Sequence, residues 1–188
     1  MILTNIKKVS QKICILAISG SLREISSNTS LLRAAIILAP ENVEISFYTG
    51  LDTLPHFNPD LESTELATVT DLRAKIKWAD GLLISTPEYA HGVPGVLKNM
   101  LDWLVSSFEF PGKPIALFNA SPRAVHAQAS LIEIVTTMSG RVIPEVCITV
   151  PLMGRNLDTE EIIADRDIAD EVKRAIVRFA HAIAQLKN

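Results

Sequence analysis

The segment KICILAISGSLREISSN, residues 12–28, joins an apolar run to a loop of glycine, serine and arginine and then to a helical pattern. The run from Ile13 to Ile18 contains no polar residue, which is typical of a strand covered on both faces. Apolar residues then recur at helical spacing until Pro40 ends the pattern: Leu31, Leu32, Ala35, Ile36 and Ala39. The segment therefore predicts a strand, a loop and a helix in succession.

The rest of the chain repeats this alternation. Short apolar runs predict further strands at residues 43–47, 81–86, 113–119 and 141–150, and helical spacing predicts helices at 66–76, 95–106, 124–138 and 168–186. Pro144 indicates that the fifth strand lies at an edge or contains a bulge, and the charged segment 158–170 is expected to be a solvated connection. Five strands alternating with helices predict an α/β fold with a parallel sheet covered on both faces. A length of 188 residues fits one domain, residues 1–188.

Composition and charge exclude several classes of protein. The net charge of -3 and the lack of a long Lys/Arg run leave no electrostatic basis for binding nucleic acid. No window approaches the roughly 18 apolar residues of a membrane helix, and the first residues lack the pattern of a secretory signal. Cys14 and Cys147 lie in apolar runs without a CxxC pair or a Cys/His spacing for zinc, so we expect buried thiols. These features predict a cytoplasmic protein without a membrane segment.

The loop after the first strand is a candidate ligand site, because open parallel sheets bind ligands beyond the carboxyl ends of their strands. It contains Ser21, Arg23, Ser26 and Asn28 and leads directly into a helix. Free N–H groups of a helix N-terminus, neutral donors and a guanidinium suit a phosphate group. In the alternative interpretation, Ser26 or Ser27 only caps the helix and Arg23 is solvated. Walker A and GxGxxG spacings are absent, which argues against an ATPase or a dinucleotide-binding domain.

The loop after the third strand, residues 86–95, combines restraining prolines with glycines that permit close approach of a ligand. Its backbone amides fit a flat polar ligand such as a planar heterocycle. Tyr89 either packs beside such a ring or covers a helix end. His91 is either a catalytic group or a surface residue, and Glu88, without a second carboxylate, is assigned to holding the loop or to an oligomer contact.

The loop after the fourth strand, residues 119–123, is expected to close the ligand site from the far side. Ser121 is either part of that site or a helix cap. The chain contains no Ser-His-Asp order, HExxH helix or GxSxG elbow. We therefore predict neither a catalytic protein nucleophile nor a metal site.

Taken together, the first and third loops resemble those of the NADPH-dependent FMN reductase family. The resemblance covers roughly residues 12–150 and rests on Gly20-Ser21-Leu22-Arg23 with Ser26 and Asn28, on Pro87-Glu88-Tyr89 through Pro94-Gly95-Val96-Leu97-Lys98-Asn99, and on Asp102-Trp103. It implies a flavodoxin-like three-layer sandwich whose five-stranded parallel sheet has the order 2-1-3-4-5. The segment after the second strand, residues 54–61, is also similar to that of the family.

The resemblance implies an enzyme that passes a hydride from NADPH or NADH through FMN to a small acceptor, such as a quinone, an azo compound, a metal oxyanion or free flavin. It implies an FMN site formed by Ser21, Arg23, Ser26 and Asn28 at the phosphate and by Pro87, Glu88, Tyr89, His91, Gly92, Val93 and Ser121 around the ring. It also implies a homodimer or homotetramer, and the broad apolar stripe of the helix 95–106 suggests a subunit contact. Two departures are Ala90-His91-Gly92 in place of Asn-Gly-Ser, and Pro122-Arg123 in a loop that is commonly glycine-rich.

Two other functions stay open on the residues alone. A flavodoxin-type electron carrier has the same fold without nicotinamide turnover of its own, but such carriers rely on a strongly acidic docking face and the net charge here is only -3. A domain that binds another phosphorylated ligand for transferase or hydrolase chemistry needs an acid–base pair, and the sequence shows none.

Overall fold

The structure, a computed structural model, describes residues 12–152, 154–155 and 157–187. Its strands are β1 (Ile13–Ser19), β2 (Val43–Phe47), β3 (Gly81–Ser85), β4 (Pro114–Asn119), β5 (Arg141–Val142) and β6 (Ile148–Thr149). Its helices are α1 (Ser27–Leu38), α2 (Ala67–Trp78), α3 (Gly95–Leu104), α4 (Val125–Thr137), α5 (Thr159–Ala164) and α6 (Arg166–Leu186). Short 3₁₀ turns lie at Pro59–Leu61 and Pro144–Val146.

The sheet has the strand order β2-β1-β3-β4-β5. β5 pairs with the first residues of β4, and β6 pairs with its last residues. Every one of these strand pairs is parallel. The predicted α/β class and the order 2-1-3-4-5 are therefore confirmed. In the β1–β3 register, Ser19 lies opposite Ser85, so the loops after these two strands leave the sheet side by side.

Helices cover both faces of the sheet, and β1 shows how its sequence permits this. Ile15 and Ala17 belong to the core cluster that includes α1, α5 and α6. Leu16 and Ile18 belong to the cluster that includes α2, α3 and α4. Successive side chains of a strand point to opposite faces, so an unbroken apolar run is what a strand between two helix layers requires. Each fully buried Leu or Ile contributes roughly 1.5–3 kcal/mol.

The apolar stripe of α3 is absorbed by this core. Leu97, Met100, Leu101, Trp103 and Leu104 are all buried within the chain. The breadth of the stripe therefore follows from packing inside the chain, and it is not in itself evidence of a subunit contact.

Two segments differ from the sequence-based expectation. The charged segment 158–170 is largely helical, because Asp158 and Glu161 form a capping box that starts α5 and Asp165 caps α6. The fifth strand is divided by the turn at Pro144–Val146 into β5 and β6, since proline lacks the N–H that a continuous strand donates.

Burial of individual side chains also departs from expectation in places. Cys14 and Cys147 were expected to be buried and are only partly buried. Burial nevertheless raises the pKa of the Cys147 thiol, and the hydrogen bond that its sulfur accepts from the Leu117 N–H offsets part of this increase. Among the described residues, no helix combines the length and the apolar character that crossing a bilayer requires.

Candidate functional site

A cavity of about 370 Å³ lies at the carboxyl ends of β1, β3 and β4. This volume falls within the roughly 300–1,000 Å³ of small-molecule sites. The strands place three loops around it, as expected for an open parallel sheet. Eight of the predicted site residues line the cavity: Ser21, Arg23, Ser26, Asn28, Pro87, Glu88, Tyr89 and Ser121.

The N-terminus of α1 forms one end of the cavity. Ser26 is its N-cap, and the Ser26 side chain accepts a hydrogen bond from the Thr29 N–H at 3.4 Å. Ser26 also lines the cavity, so it caps the helix and contributes to the site. Ser27 and Asn28 hold the first two helical positions, whose N–H groups have no partner inside an α-helix. These N–H groups and the helix dipole favour an anion.

Asn28 adds a side-chain donor at the same end. It is 9% exposed, and its Oδ1 accepts a hydrogen bond from the Ser85 hydroxyl at 2.9 Å. This bond fixes the amide orientation, so the Asn28 NH₂ group is the part left for a ligand in the cavity. The same bond ties the first helix to the end of β3.

Close packing holds the first and third loops together. The Gly20 N–H donates to the Ser85 carbonyl oxygen at 2.8 Å. A Cβ atom on Gly20 would lie 2.2 Å from the Thr86 Oγ1, so only glycine fits at this position. The relative position of the two cavity walls is therefore set by the backbone.

The third loop contains a tight turn that moves three predicted residues away from the cavity. Tyr89 and Gly92 exchange backbone hydrogen bonds of 3.2 and 2.9 Å, and Ala90 and His91 between them have φ values of 49° and 60°. Two successive positive φ values define a type I′ turn. The His91 ring stacks on His126, with a centroid distance of 4.2 Å and an interplanar angle of 24°. His91, Gly92 and Val93 are absent from the residues that line the cavity.

Glu88 links the third loop to α4. Its Oε2 accepts hydrogen bonds from the N–H groups of His126 and Ala127, both at 2.9 Å. A carboxylate at a helix N-terminus is stabilised by the helix dipole and by the free N–H groups of the first turn. This geometry agrees with the assignment of Glu88 to holding the loop, and no proton-transfer role is needed to explain it.

The fourth loop is folded by its own polar groups. The Ser121 N–H donates to Asn119 Oδ1 at 3.0 Å, and the Arg123 N–H donates to Ser121 Oγ at 3.2 Å. The Ala124 N–H closes the turn on the Ser121 carbonyl oxygen at 3.2 Å. This loop brings the Arg123 side chain to the cavity.

The cavity is also lined by residues that were not named individually as cofactor contacts, although Thr86, Asn119, Ala120 and Arg123 belong to loops predicted to form the site: Ser27, Thr86, Asn119, Ala120, Arg123, Ala124 and Gly154. Most of them neighbour predicted residues on the same three loops, so the loops themselves were the available signal. Gly154 lies in the segment after β6 and reaches the cavity only through tertiary structure, for which the sequence offers no signal.

The cavity carries more positive than negative charge. Arg23 and Arg123 contribute two guanidinium groups, and Glu88 contributes a carboxylate that already binds the N-terminus of α4. Among the described residues, no carboxylate oxygen lies within 4.0 Å of either guanidinium. The donors at the α1 N-terminus, Asn28 and Arg23 fit a phosphate, and the remaining cavity leaves room for a ring system.

Comparison with known proteins agrees with this geometry. The model of the NADPH-dependent FMN reductase family matches residues 13–152. A quinone reductase of Escherichia coli (strain K12) is 29% identical over 188 residues, covering 95% of this chain and all of the relative. An NAD(P)H-dependent FMN reductase of Pseudomonas aeruginosa is 39% identical over 116 residues, covering 60% of this chain and 62% of the relative.

Among solved structures, the flavoenzyme NAD(P)H:(acceptor) oxidoreductase FerB of Paracoccus denitrificans superposes with a TM-score of 0.74 at 25% identity. The match covers 92% of this chain and 98% of that one. A family match over most of the chain, with the predicted strand order and a donor set suited to a phosphate, establishes that this chain belongs to the NADPH-dependent FMN reductase family.

Proposed function

We propose that the chain holds FMN in this cavity and uses NADPH or NADH to reduce quinones and related small acceptors. The observation that carries the proposal is the donor set at the α1 N-terminus, where backbone N–H groups, the Asn28 amide and the Arg23 guanidinium converge on one end of the cavity. This combination suits a dianionic phosphate.

The phosphate end would be held by Ser21, Arg23, Ser26 and Asn28. Ser26 and Asn28 are buried and preorganised by hydrogen bonds within the chain. Arg23 is exposed and supplies the charge from the rim. Because the neutral donors are preorganised, little conformational entropy is lost at these residues when an anion binds.

The ring end would lie between the third and fourth loops. When bound, FMN supplies the hydride transfer between the nicotinamide donor and the acceptor. Pro87 and the Glu88–α4 contact hold the backbone of this wall in place, and Tyr89 lines it with an exposed side chain. His91, Gly92 and Val93 lie outside the cavity lining, so the ring contacts proposed here are those of Pro87 and Tyr89.

The acceptor class rests on the relatives. Proteins named quinone reductase match almost the full length of this chain, and a 2-hydroxy-1,4-benzoquinone reductase of Burkholderia sp matches 59% of it. We infer that a quinone is the acceptor class to test first, before azo compounds and metal oxyanions.

We also propose that the chain self-associates through the end of α3 and the residues after it. Val105 is 63% exposed and Phe108 is 97% exposed. Large apolar side chains in solvent favour association. Light scattering of the parent and of Phe108→Ser tests this proposal: we expect a dimer or tetramer that the substitution weakens, and a monomeric parent would contradict it.

The main experiment is a visible spectrum of the purified protein before and after reconstitution with FMN, followed by anaerobic mixing with NADPH and NADH. We expect bound flavin that either nucleotide bleaches and a quinone reoxidises. Bleaching that is far slower than turnover of a related reductase would favour an electron carrier. A protein that takes up no FMN would overturn the proposal.

Arg23→Ala tests the phosphate contact directly. A charge-assisted hydrogen bond contributes roughly 1.5–3 kcal/mol, and the exposure of Arg23 places it near the lower end, so we expect FMN affinity to fall about tenfold. Arg178→Ala, which removes an exposed arginine of α6, is the matched control. Equal FMN affinity in both variants would refute the role given to Arg23.

A further inference from the structure

Arg123 is a charged residue of the cavity whose function the FMN site does not explain. Its backbone is fixed by the turn from Ser121 to Ala124, with the N–H of Arg123 bonded to Ser121 Oγ. Its side chain is exposed and lines the cavity. Arg123 therefore lies at the exposed rim of the cavity on a backbone held by hydrogen bonds, so its guanidinium is available to a molecule that enters from solvent.

The position of Arg123 separates it from the phosphate end. Arg23 follows β1 and Arg123 follows β4, and β3 lies between these two strands. Neighbouring strands are about 4.8 Å apart, so the two loops begin on opposite sides of the cavity, roughly 10 Å from each other. One phosphate at the α1 N-terminus is served by Arg23, and Arg123 is left for a different anion.

Among the described residues that line the cavity, no carboxylate neutralises the charge of Arg123. Glu88 is the carboxylate that lines the cavity, and both of its hydrogen bonds in the structure go to the N-terminus of α4. In the part of the chain that the structure describes, no acidic side chain forms an ion pair with Arg123. A guanidinium in this setting favours an anionic group that presents two neighbouring oxygens, such as a carboxylate or a sulfonate, which it binds with two parallel hydrogen bonds.

We propose that Arg123 forms an anion subsite at the mouth of the cavity and selects acceptors that carry a carboxylate or sulfonate group. The cavity measures about 370 Å³, and an acceptor that receives a hydride from bound FMN has to stack near the flavin ring. The phosphates of a nicotinamide nucleotide lie several bonds from its reacting ring, whereas an anionic group on a quinone ring lies close to the reacting atoms. The anion that meets Arg123 is therefore one attached to the acceptor ring itself. This inference rests on the proposed function.

A pair of acceptors that differ by one charge tests the subsite. The kcat/KM values of a naphthoquinone sulfonate and of the same quinone without the sulfonate are measured for the parent, Arg123→Gln, Arg123→Lys and the control Arg178→Gln. We expect the sulfonated-to-neutral ratio to fall about tenfold in Arg123→Gln and two- to threefold in Arg123→Lys, because lysine keeps the charge without the fork. Arg178→Gln keeps the parent ratio.

A binding measurement without turnover supports the kinetics. Calorimetric titration of the FMN-loaded protein with the naphthoquinone sulfonate, in the absence of any electron donor, is expected to show about tenfold weaker binding in Arg123→Gln. Raising the ionic strength should reduce the parent's preference for the sulfonate and leave that of Arg123→Gln nearly unchanged.

The outcomes separate this proposal from the proposed function. If the sulfonated-to-neutral ratio and the sulfonate affinity are the same in Arg123→Gln and in the parent, the subsite is refuted while FMN binding and quinone reduction stand. A loss that falls on NADPH and NADH and spares the sulfonated quinone also refutes it, since the anion is then the nucleotide's. A parent protein that binds no FMN or oxidises no NADPH refutes the proposed function instead.

Discussion

Replacing Glu88 by alanine removes the link between the third loop and α4. In the structure, the Glu88 carboxylate accepts two hydrogen bonds of 2.9 Å from the N–H groups of His126 and Ala127. The substitution deletes both bonds and leaves the first turn of α4 without its anion. We therefore expect a loss of stability together with a looser cavity wall.

The magnitude follows from these contacts. Hydrogen bonds to a charged group contribute roughly 1.5–3 kcal/mol, and an anion at a helix N-terminus adds roughly 0.3–1 kcal/mol at an exposed site. Water replaces part of this at the exposed His126, so we expect about 2 kcal/mol for Glu88→Ala. Glu88→Gln keeps an acceptor oxygen without the charge and should cost about 1 kcal/mol.

Thermal unfolding of the protein without and with FMN measures both effects. For a chain of this length, 1 kcal/mol corresponds to roughly 2–4 °C in Tm, so we expect decreases of about 4–8 °C for Glu88→Ala and half of that for Glu88→Gln. FMN binds only the folded state and raises Tm by an amount set by its affinity. A smaller FMN-induced increase in Glu88→Ala shows that the wall also serves the cofactor.

The control is Glu133→Ala, which removes an exposed carboxylate from the middle of the same helix. We expect its Tm to stay within about 1–2 °C of the parent, since surface changes away from special contacts cost little. If Glu88→Ala unfolds at the same temperature as Glu133→Ala, the reasoning about the α4 cap is refuted.

Three further predictions concern the loops and one buried side chain. Gly20→Ala places a Cβ atom 2.2 Å from Thr86 Oγ1 and should lower the free energy of unfolding by about 1–3 kcal/mol, measured with a denaturant. The control Gly95→Ala meets no atom within 4 Å and should leave stability unchanged or slightly higher, and equal effects of the two substitutions would contradict this packing. Ala90→Asn should raise stability by up to about 1 kcal/mol, because asparagine tolerates the φ of 49° better than alanine; a lower Tm would show that the turn is not strained. Burial, with smaller contributions from two aspartates, raises the pKa of Tyr48 to about 12 from the ordinary value of 10.0. This shift corresponds to roughly 2–3 kcal/mol of folding stability, which is complete below pH 10 and is lost as the pH rises to about 12. Tyr48→Phe should remove this decrease of stability with pH, and a decrease that persists in the variant would assign it to another group.

The strands and most helices were predictable because their signals are local. The uninterrupted run Ile13–Ile18 requires burial on both faces, and the strand–helix alternation then leaves few topologies. The missed helix α5 carried a local signal too, the Asp158–Glu161 capping box, which a reading of the segment as a charged connection overlooked. Trp78, at the end of α2, is 41% exposed, because the buried face of this helix is formed by Val69, Leu72 and Ile76.

The site was predictable as loops rather than as contacts. The order of the strands, which the family resemblance implied, brings Ser21, Asn28 and Tyr89 to one cavity. Which side chains of a loop face the ligand depends on turn geometry, and the type I′ turn directs His91 towards His126 instead. Arg123 was visible in the loop expected to close the site and as a departure from the family's glycine-rich loop, but its exposure and its lack of an ion pair among the described residues required the structure.

The interruption at Pro144 has a consequence for how copies of this chain can meet. Beyond β4, the sheet ends in two strands of two residues each, separated by a turn. A border this short and broken offers no continuous ladder onto which a foreign strand can add, which protects against fibrillar growth. Growth of one continuous sheet from copy to copy needs both borders, so the broken border disfavours it even though β2, at the opposite border, is a continuous strand of five residues.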